Sequence, residues 1–118
     1  MIVSIRLLRF SIPEVSGLKE KRSVVRSAID RARARSLAAI AEVGAMNDAR
    51  SAIVGVSAIS NEAAHADSLA DAAATLLKDA GGWILERERA ERLPFGIDET
   101  STLRDDLSWE DFDDDDDA

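Results

Sequence analysis

Hydrophobic and polar residues follow one another along the chain in patterns that predict six elements of secondary structure. A first strand is expected over residues 2–12, where β-branched and large apolar residues dominate. Leu8, Phe10 and Ile12 alternate with polar neighbours and are expected to face the core. Before them most apolar residues lie at odd-numbered positions and would point to the other face of the sheet. A bulge near Arg6–Leu7 or a strand buried on both faces would explain this change.

Residues 18–35 are predicted to form an amphipathic helix, because apolar side chains recur there about every 3.6 positions. Ser16 or Gly17 is expected to begin this helix. Its apolar stripe should pack on the core and comprises Leu18, Val25, Ala28, Ile29 and Ala32.

The middle of the chain predicts a hairpin. Residues 36–46 are rich in alanine and fit either a strand or a continuation of the helix, and a strand over 37–43 is favoured because Gly44 and a polar run follow. Residues 52–60 are apolar throughout and predict a central strand. The two strands would be joined around residues 44–50.

A second helix and a last strand complete the pattern. Ser60 or Asn61 is expected to cap the helix, which should continue to about Ala80 before two glycines stop it. Residues 83–92 predict a charged edge strand. One of its faces would carry Trp83, Leu85, Arg87 and Arg89, and the other Ile84, Glu86 and Glu88.

The order strand, helix, strand, strand, helix, strand is that of a ferredoxin-like α+β domain. It predicts a four-stranded antiparallel sheet with both helices on one face, built from residues 1–94. Residues 95–118 contain too many like charges and too few apolar residues to fold alone, and they are predicted to form an acidic, disordered tail.

Charge is divided unevenly along the chain. The net charge is −8, but residues 98–118 hold eleven acidic residues and one basic residue, a balance of −10 that leaves +2 for the other 97 residues. Residues 1–36 hold nine basic and three acidic residues. The protein therefore has a basic N-terminal third and a strongly acidic end.

The predicted first helix carries seven basic residues, and clustered basic residues on one element are typical of phosphate contacts in nucleic-acid-binding proteins. The alternative is a solvated helix whose Glu20 and Asp30 partly neutralise their neighbours. The candidate nucleic-acid-binding residues are Lys19, Lys21, Arg22, Arg26, Arg31, Arg33 and Arg35.

The sequence SGLKEKRSVVRSAIDRARAR at residues 16–35, with AEVG at 41–44 and IVGVSAISNEAAH at 53–65, resembles the YlxP-like family of small bacterial domains of unknown function. The resemblance covers about residues 1–92, and LKEKR is its most specific part. It implies a ferredoxin-like fold. Genes of this family commonly lie among translation and ribosome-maturation genes, which implies ribosomal RNA or a ribosomal subunit as partner.

The chain departs from this family at one place within the match. The family usually carries an Asp-Leu-Trp-Gln-Arg-like run between the two strands of the hairpin, and this chain has Asn47–Ser51 there, without an aromatic residue. No role of that tryptophan can therefore be transferred. The acidic tail also lies outside the family resemblance.

Catalytic and cofactor chemistry has little support in the sequence. His65 is the sole histidine and lies beside Glu62 at the start of the second helix, and without a second histidine or any cysteine it makes a poor metal site. No glycine-rich nucleotide-binding pattern occurs. A non-enzymatic protein without cofactors is expected. If it binds RNA, the absence of tyrosine and of an aromatic strand motif favours backbone contacts over base stacking.

The expected function is that of a cytoplasmic accessory protein associated with RNA or the ribosome. No signal peptide and no apolar run of about 20 residues is apparent, so no membrane association is expected. The alternative is a homo-oligomeric interaction module that pairs through its open sheet face. For the tail, with Leu107, Trp109 and Phe112 among its charges, the alternatives are a solubilising role, docking on the protein's own basic helix, and docking on a partner.

Overall fold

A computed structural model describes residues 1–96, and all six predicted elements are found there. The predicted disordered tail, residues 95–118, lies outside the described residues apart from its first two positions. The ambiguous segment after the first helix is a strand. In chain order the elements are β1 (Ile2–Ser11), α1 (Leu18–Arg35), β2 (Ala39–Gly44), β3 (Ser51–Ser60), α2 (Ala63–Asp79) and β4 (Ile84–Pro94).

The strands form one antiparallel sheet in the order β2-β3-β1-β4. β3 is central and β4 lies at an edge, as predicted. α1 packs against β2, whereas α2 packs against β1 and β3, and the two helices contact each other on the same face of the sheet. This confirms the ferredoxin-like α+β fold, and no element of residues 1–96 covers the opposite face of the sheet, the open face.

The core lies between the sheet and the helices. Leu8, Phe10 and Ile12 are fully buried, which confirms the predicted core face of the first strand. α2 buries mainly alanines, whose small side chains let the helix lie close to the sheet. Trp83, just before β4, stacks on Phe10 with ring centroids 3.9 Å apart, and its Nε1 donates a 2.8 Å hydrogen bond to the carbonyl oxygen of Leu77.

Along β1 the apolar residues change from mainly odd-numbered to even-numbered positions. A bulge near Arg6–Leu7 is not the cause, because β1 pairs with β3 without interruption from Ile2 to Ser11. Polar residues instead occupy two core-face positions near the start of the strand. Ser4 Oγ donates a 2.8 Å hydrogen bond to Asp67 of α2, and Arg6 Nη1 donates a 2.5 Å hydrogen bond to Asp71. Acidic residues of α2 thus explain why polar residues are found on this face.

A bulge lies instead in β4, opposite Arg9 and Phe10. Leu85 pairs with Phe10 on the helix side of the sheet, and Glu88, three positions on, is again on that side. The extra residue moves Arg87 to the open face. The predicted grouping of Leu85 with Arg87 on one face was therefore wrong.

Both helices begin without a side-chain cap. Gly17 is the first cap, as one prediction had it, and Ser16 beside it donates from its hydroxyl and its backbone N–H to Glu20, at 2.6 and 3.1 Å. These hydrogen bonds hold the pKa of Glu20 below its usual range. The cap of α2 is Glu62, where Ser60 or Asn61 was predicted, and Ser60 Oγ accepts the Glu62 backbone N–H at 3.1 Å.

None of the helices formed by residues 1–96 is long and apolar enough to cross a membrane.

Candidate nucleic-acid interface

Lys21, one of the seven predicted nucleic-acid-binding residues, has no solvent exposure. Its Nζ donates a 2.7 Å hydrogen bond to the carbonyl oxygen of Ala45 and lies 2.9 Å from the carboxylate of Glu42 on β2. The ammonium therefore fastens α1 to the turn that joins β2 and β3. Lys21 cannot reach a ligand at the surface, so its assignment to the interface is corrected to a structural role.

Arg33 also has an internal partner. Its Nε and Nη2 donate hydrogen bonds of 3.2 and 2.6 Å to the carbonyl oxygen of Ile40 in β2. The guanidinium thereby joins the last turns of α1 to an edge strand of the sheet. Arg33 is nevertheless exposed and borders a groove at the surface, while two of its N–H donors are used within the protein.

The other five predicted residues are exposed, on two sides of α1. Lys19, Arg22 and Arg26 follow one another at helical spacing and line one shallow groove of about 460 Å³. We call these three residues the α1 basic patch. Arg31 and Arg35 are displaced from it by more than a quarter turn of the helix, at roughly 100° per residue, and neither lines this groove.

A second groove of about 350 Å³ runs between α1 and the end of β2 and shares Arg22 and Arg26 with the first. Its apolar base is formed by Val25 and Ile29 of the helix, and Met46 borders it from the turn after β2. The two arginines thus stand on a ridge between two grooves, where a ligand can approach them from either side.

The α1 basic patch has no carboxylate partner within ion-pair distance among the described residues. The nearby Glu20 accepts hydrogen bonds from Ser16, and Glu42 lies against Lys21. Asp30 borders both grooves, where it lowers but does not cancel the positive charge. The patch therefore offers charge-assisted donors to an external anion.

The turn between β2 and β3 is largely polar and exposed. Its shape depends on Ala45, which has the left-handed φ of 54°, and on Asp48, whose carboxylate accepts the Arg50 backbone N–H at 2.9 Å. The Arg50 carbonyl accepts the Ile12 N–H at 2.9 Å, which joins the turn to the end of β1. Among residues 1–96, no aromatic side chain lines the groove between α1 and the end of β2.

His65 and Glu62, the weakest of the predicted candidates, lie at the exposed start of α2. Nδ1 of His65 is 3.1 Å from Ser60 Oγ, which also accepts the Glu62 N–H. This arrangement orders the beginning of the helix. Within residues 1–96, no three His, Cys, Asp or Glu side chains are grouped as a metal ion would require.

The sequence patterns missed a second basic group, on the open face of the sheet. Arg9 of β1 lies directly opposite Arg87 of β4, and Arg89 lies opposite Leu7 in the next row. We call Arg9, Arg87 and Arg89 the arginine cluster. Its members are separated in sequence, and only the bulge in β4 brings Arg87 to this face. The alternating charges of the last strand were a partial signal.

The molecule is thus a small ferredoxin-like domain with basic groups on α1 and on the open face of its sheet. It belongs to the family described as "Protein of unknown function (DUF503)", whose model matches residues 3–89. No curated protein matches the chain at a significant level.

Proposed function

We propose that this domain is a non-enzymatic accessory protein that binds RNA through the α1 basic patch, and that its partner is ribosomal RNA within a ribosomal subunit. The observation that carries the proposal is the exposure of the α1 basic patch, with Arg22 and Arg26 on a ridge between two grooves and without a carboxylate partner among residues 1–96. The resemblance to the YlxP-like family, with its gene context in translation, supports the choice of partner.

The mode of binding follows from which side chains are exposed. Arginine and lysine donors bind phosphate oxygens irrespective of base identity. The two aromatic rings of the core, Phe10 and Trp83, stack on each other and are buried, so they cannot stack on bases. We therefore infer contacts with the RNA backbone, whose strength falls as the salt concentration rises.

Charge reversal on one side of α1 tests the proposal. Arg22→Glu with Arg26→Glu places two carboxylates on the ridge and should abolish co-sedimentation of the protein with ribosomal subunits at low salt. Arg31→Glu with Arg35→Glu is the matched control, because it makes the same change in net charge on the same helix, away from the grooves. Co-sedimentation that is equal for both double variants and the parent protein would refute the proposal.

Self-assembly through the open face is the second candidate function. Leu7, Val43 and Ile59 are exposed on this face, at 38%, 56% and 63%, which favours contact with a partner. The arginine cluster opposes a second copy, because two such clusters near a two-fold axis would repel each other. Light scattering separates the alternatives: self-assembly predicts a dimer or larger species, and a monomer at every concentration contradicts it.

A further inference from the structure

The arginine cluster surrounds a small hollow on the open face. The hollow has a volume of about 180 Å³, and Leu7 and Ile53 complete its lining. In the sheet, Arg87, Arg9 and Ile53 form one row across three strands, and Arg89 and Leu7 belong to the next row. The surface therefore combines guanidinium groups with apolar side chains, of which Leu7 is exposed and Ile53 half-buried.

The charges of this cluster are not balanced within the described residues. Arg9 Nε lies 3.6 Å from Glu86, in a pair whose members are both about half exposed, and such pairs contribute little. Arg87 and Arg89 have no carboxylate within ion-pair distance in residues 1–96. Like charges directly opposite each other in a sheet, as in Arg9 and Arg87, are unfavourable. The fold itself therefore gains nothing from this arrangement.

The acidic end of the same chain has the complementary character. Residues 98–118 contain eleven acidic residues and one basic residue. Leu107, Trp109 and Phe112 lie among these charges. A segment that alternates carboxylates with apolar side chains matches a surface that combines arginines with Leu7 and Ile53.

Chain length allows the contact to form within one molecule. β4 ends at Pro94, which lies opposite Ile2 at one end of the sheet. Arg87 is seven positions back along β4, or about 24 Å at ~3.4 Å per residue. Asp105 is eleven positions beyond Pro94, so the chain can span up to about 37 Å to it. The acidic segment can therefore turn back along the open face, and being tethered it has a high effective concentration there.

We propose that residues 105–117 dock on the open face of the sheet, with carboxylates against Arg87 and Arg89 and with Trp109 and Phe112 over the hollow. α1 offers charge as well, but the apolar residues beneath its ridge are buried. The open face presents both kinds of contact. This proposal is independent of RNA binding by the α1 basic patch.

Paramagnetic labelling of the full chain tests the contact. The protein has no cysteine, so Ser108→Cys provides a single site for a nitroxide label within the acidic segment. The backbone amide signals of Leu7, Ile53 and Arg89 should broaden, whereas those of Arg22 and Arg26 should not. A sample that mixes nitrogen-15-labelled protein without nitroxide and unlabelled protein with nitroxide should show no broadening, because the contact is intramolecular.

Two double variants show whether the arginines cause the contact. Arg87→Glu with Arg89→Glu should return the open-face signals to the intensity seen with reduced, diamagnetic label. Arg22→Glu with Arg26→Glu, which makes the same change in charge, should leave the broadening intact. If the first variant loses its dispersed spectrum, Arg87→Gln with Arg89→Gln removes the charge without adding carboxylates.

Four results would overturn the proposal. Broadening of the α1 signals would place the tail on the basic helix, and no broadening in the parent protein would show that the tail does not dock. Broadening in the mixed sample would show contact between two copies of the chain. Persistence of the open-face broadening in a folded variant without Arg87 and Arg89 would equally exclude the arginines as its cause.

Discussion

The buried ammonium of Lys21 donates a 2.7 Å hydrogen bond to the carbonyl oxygen of Ala45, a residue held at a φ of 54°. Non-glycine residues rarely adopt this left-handed conformation, because their Cβ crowds the backbone. Lys21 also lies 2.9 Å from the carboxylate of Glu42. The segment LKEKR thus contains a residue that fastens the β2–β3 turn to α1.

Removing this ammonium should destabilise the protein strongly. Lys21→Ala leaves Glu42 and the Ala45 carbonyl without their partner, and breaking a buried ion pair in this way costs about 3–5 kcal/mol. The control Lys19→Ala, at an exposed position of the same helix turn, should change the free energy of unfolding by less than about 0.5 kcal/mol. Urea unfolding measures both variants.

A combined variant separates the two contributions of Lys21. Lys21→Met with Glu42→Gln removes both charges while it keeps side-chain volume, so much of the lost stability should return. Equal urea midpoints for Lys21→Ala and Lys19→Ala would show that the ammonium does not hold the turn.

The two consecutive glycines after α2 should respond differently to alanine. Gly82 has a φ of 95°, and a Cβ there would lie 3.2 Å from Cγ1 of Val24, whereas a Cβ on Gly81 would meet nothing within 4 Å. Gly82→Ala should destabilise the protein by about 1 kcal/mol or more, and Gly81→Ala should be neutral or stabilise it by up to about 1 kcal/mol. Thermal unfolding of the pair gives the comparison, and a reversed order of stability would contradict it.

The acid sensitivity of the fold should depend on Asp67. Its hydrogen bond from Arg92, supported by that from Ser4, holds the pKa of its carboxyl below the usual range. A carboxyl with a lowered pKa stabilises the folded state above its unfolded value of about 3.9, and this contribution is lost as the pH falls through the folded value. Asp67→Asn should therefore be less stable than the parent protein at pH 7 and lose less stability on acidification.

Arg92→Gln provides the matched variant, because it removes the main cause of the shift and leaves the carboxyl in place. Its stability should fall less steeply than the parent's below about pH 4. The double variant Asp67→Asn with Arg92→Gln should lose less stability than the sum of the losses in the two single variants, because both substitutions remove the same contact. Additive losses in urea unfolding at pH 7 would show that the two residues act separately.

If the α1 basic patch binds RNA phosphates, single neutral substitutions should change the salt dependence of binding. Arg26→Gln should reduce the slope of log binding constant against log salt concentration by roughly 1, the value for one lost phosphate contact. Arg31→Gln, on another side of the helix, should leave the slope unchanged. Fluorescence anisotropy with ribosomal RNA fragments over a salt series measures both slopes, and identical slopes for the two variants would exclude Arg26 from the interface.

Helical periodicity was sufficient to predict α1 and its buried stripe, since Val25, Ile29 and Ala32 are buried as expected. The same periodicity contained the signal for Lys21, which lies four positions before Val25 and seven before Ala28, within the apolar stripe. Counting basic residues placed it at the surface nevertheless. A buried lysine needs partners on another element, and the carboxylate of Glu42 and the Ala45 carbonyl come from a hairpin distant in sequence.

The arginine cluster was not predictable, because the bulge in β4 changes which face of the sheet the later side chains of the strand occupy. A bulge shifts each later side chain to the other face, and no residue near Glu86 signals its position. Ser4 shows a related limit. Its polar side chain on the core face makes sense only with Asp67, sixty-three positions away, as its partner.

The position of β1 in the sheet has a consequence for how the protein is made. β1 is the first of the sheet's four strands to be synthesised, yet its neighbours are β3 and β4, and its Phe10 packs on Trp83 from the far end of the domain. Contacts that join distant parts of a chain form late in folding. The nascent first strand therefore has both edges unpaired until β3 is made and one edge unpaired until β4 is made, so translation must reach Pro94 before the sheet can close.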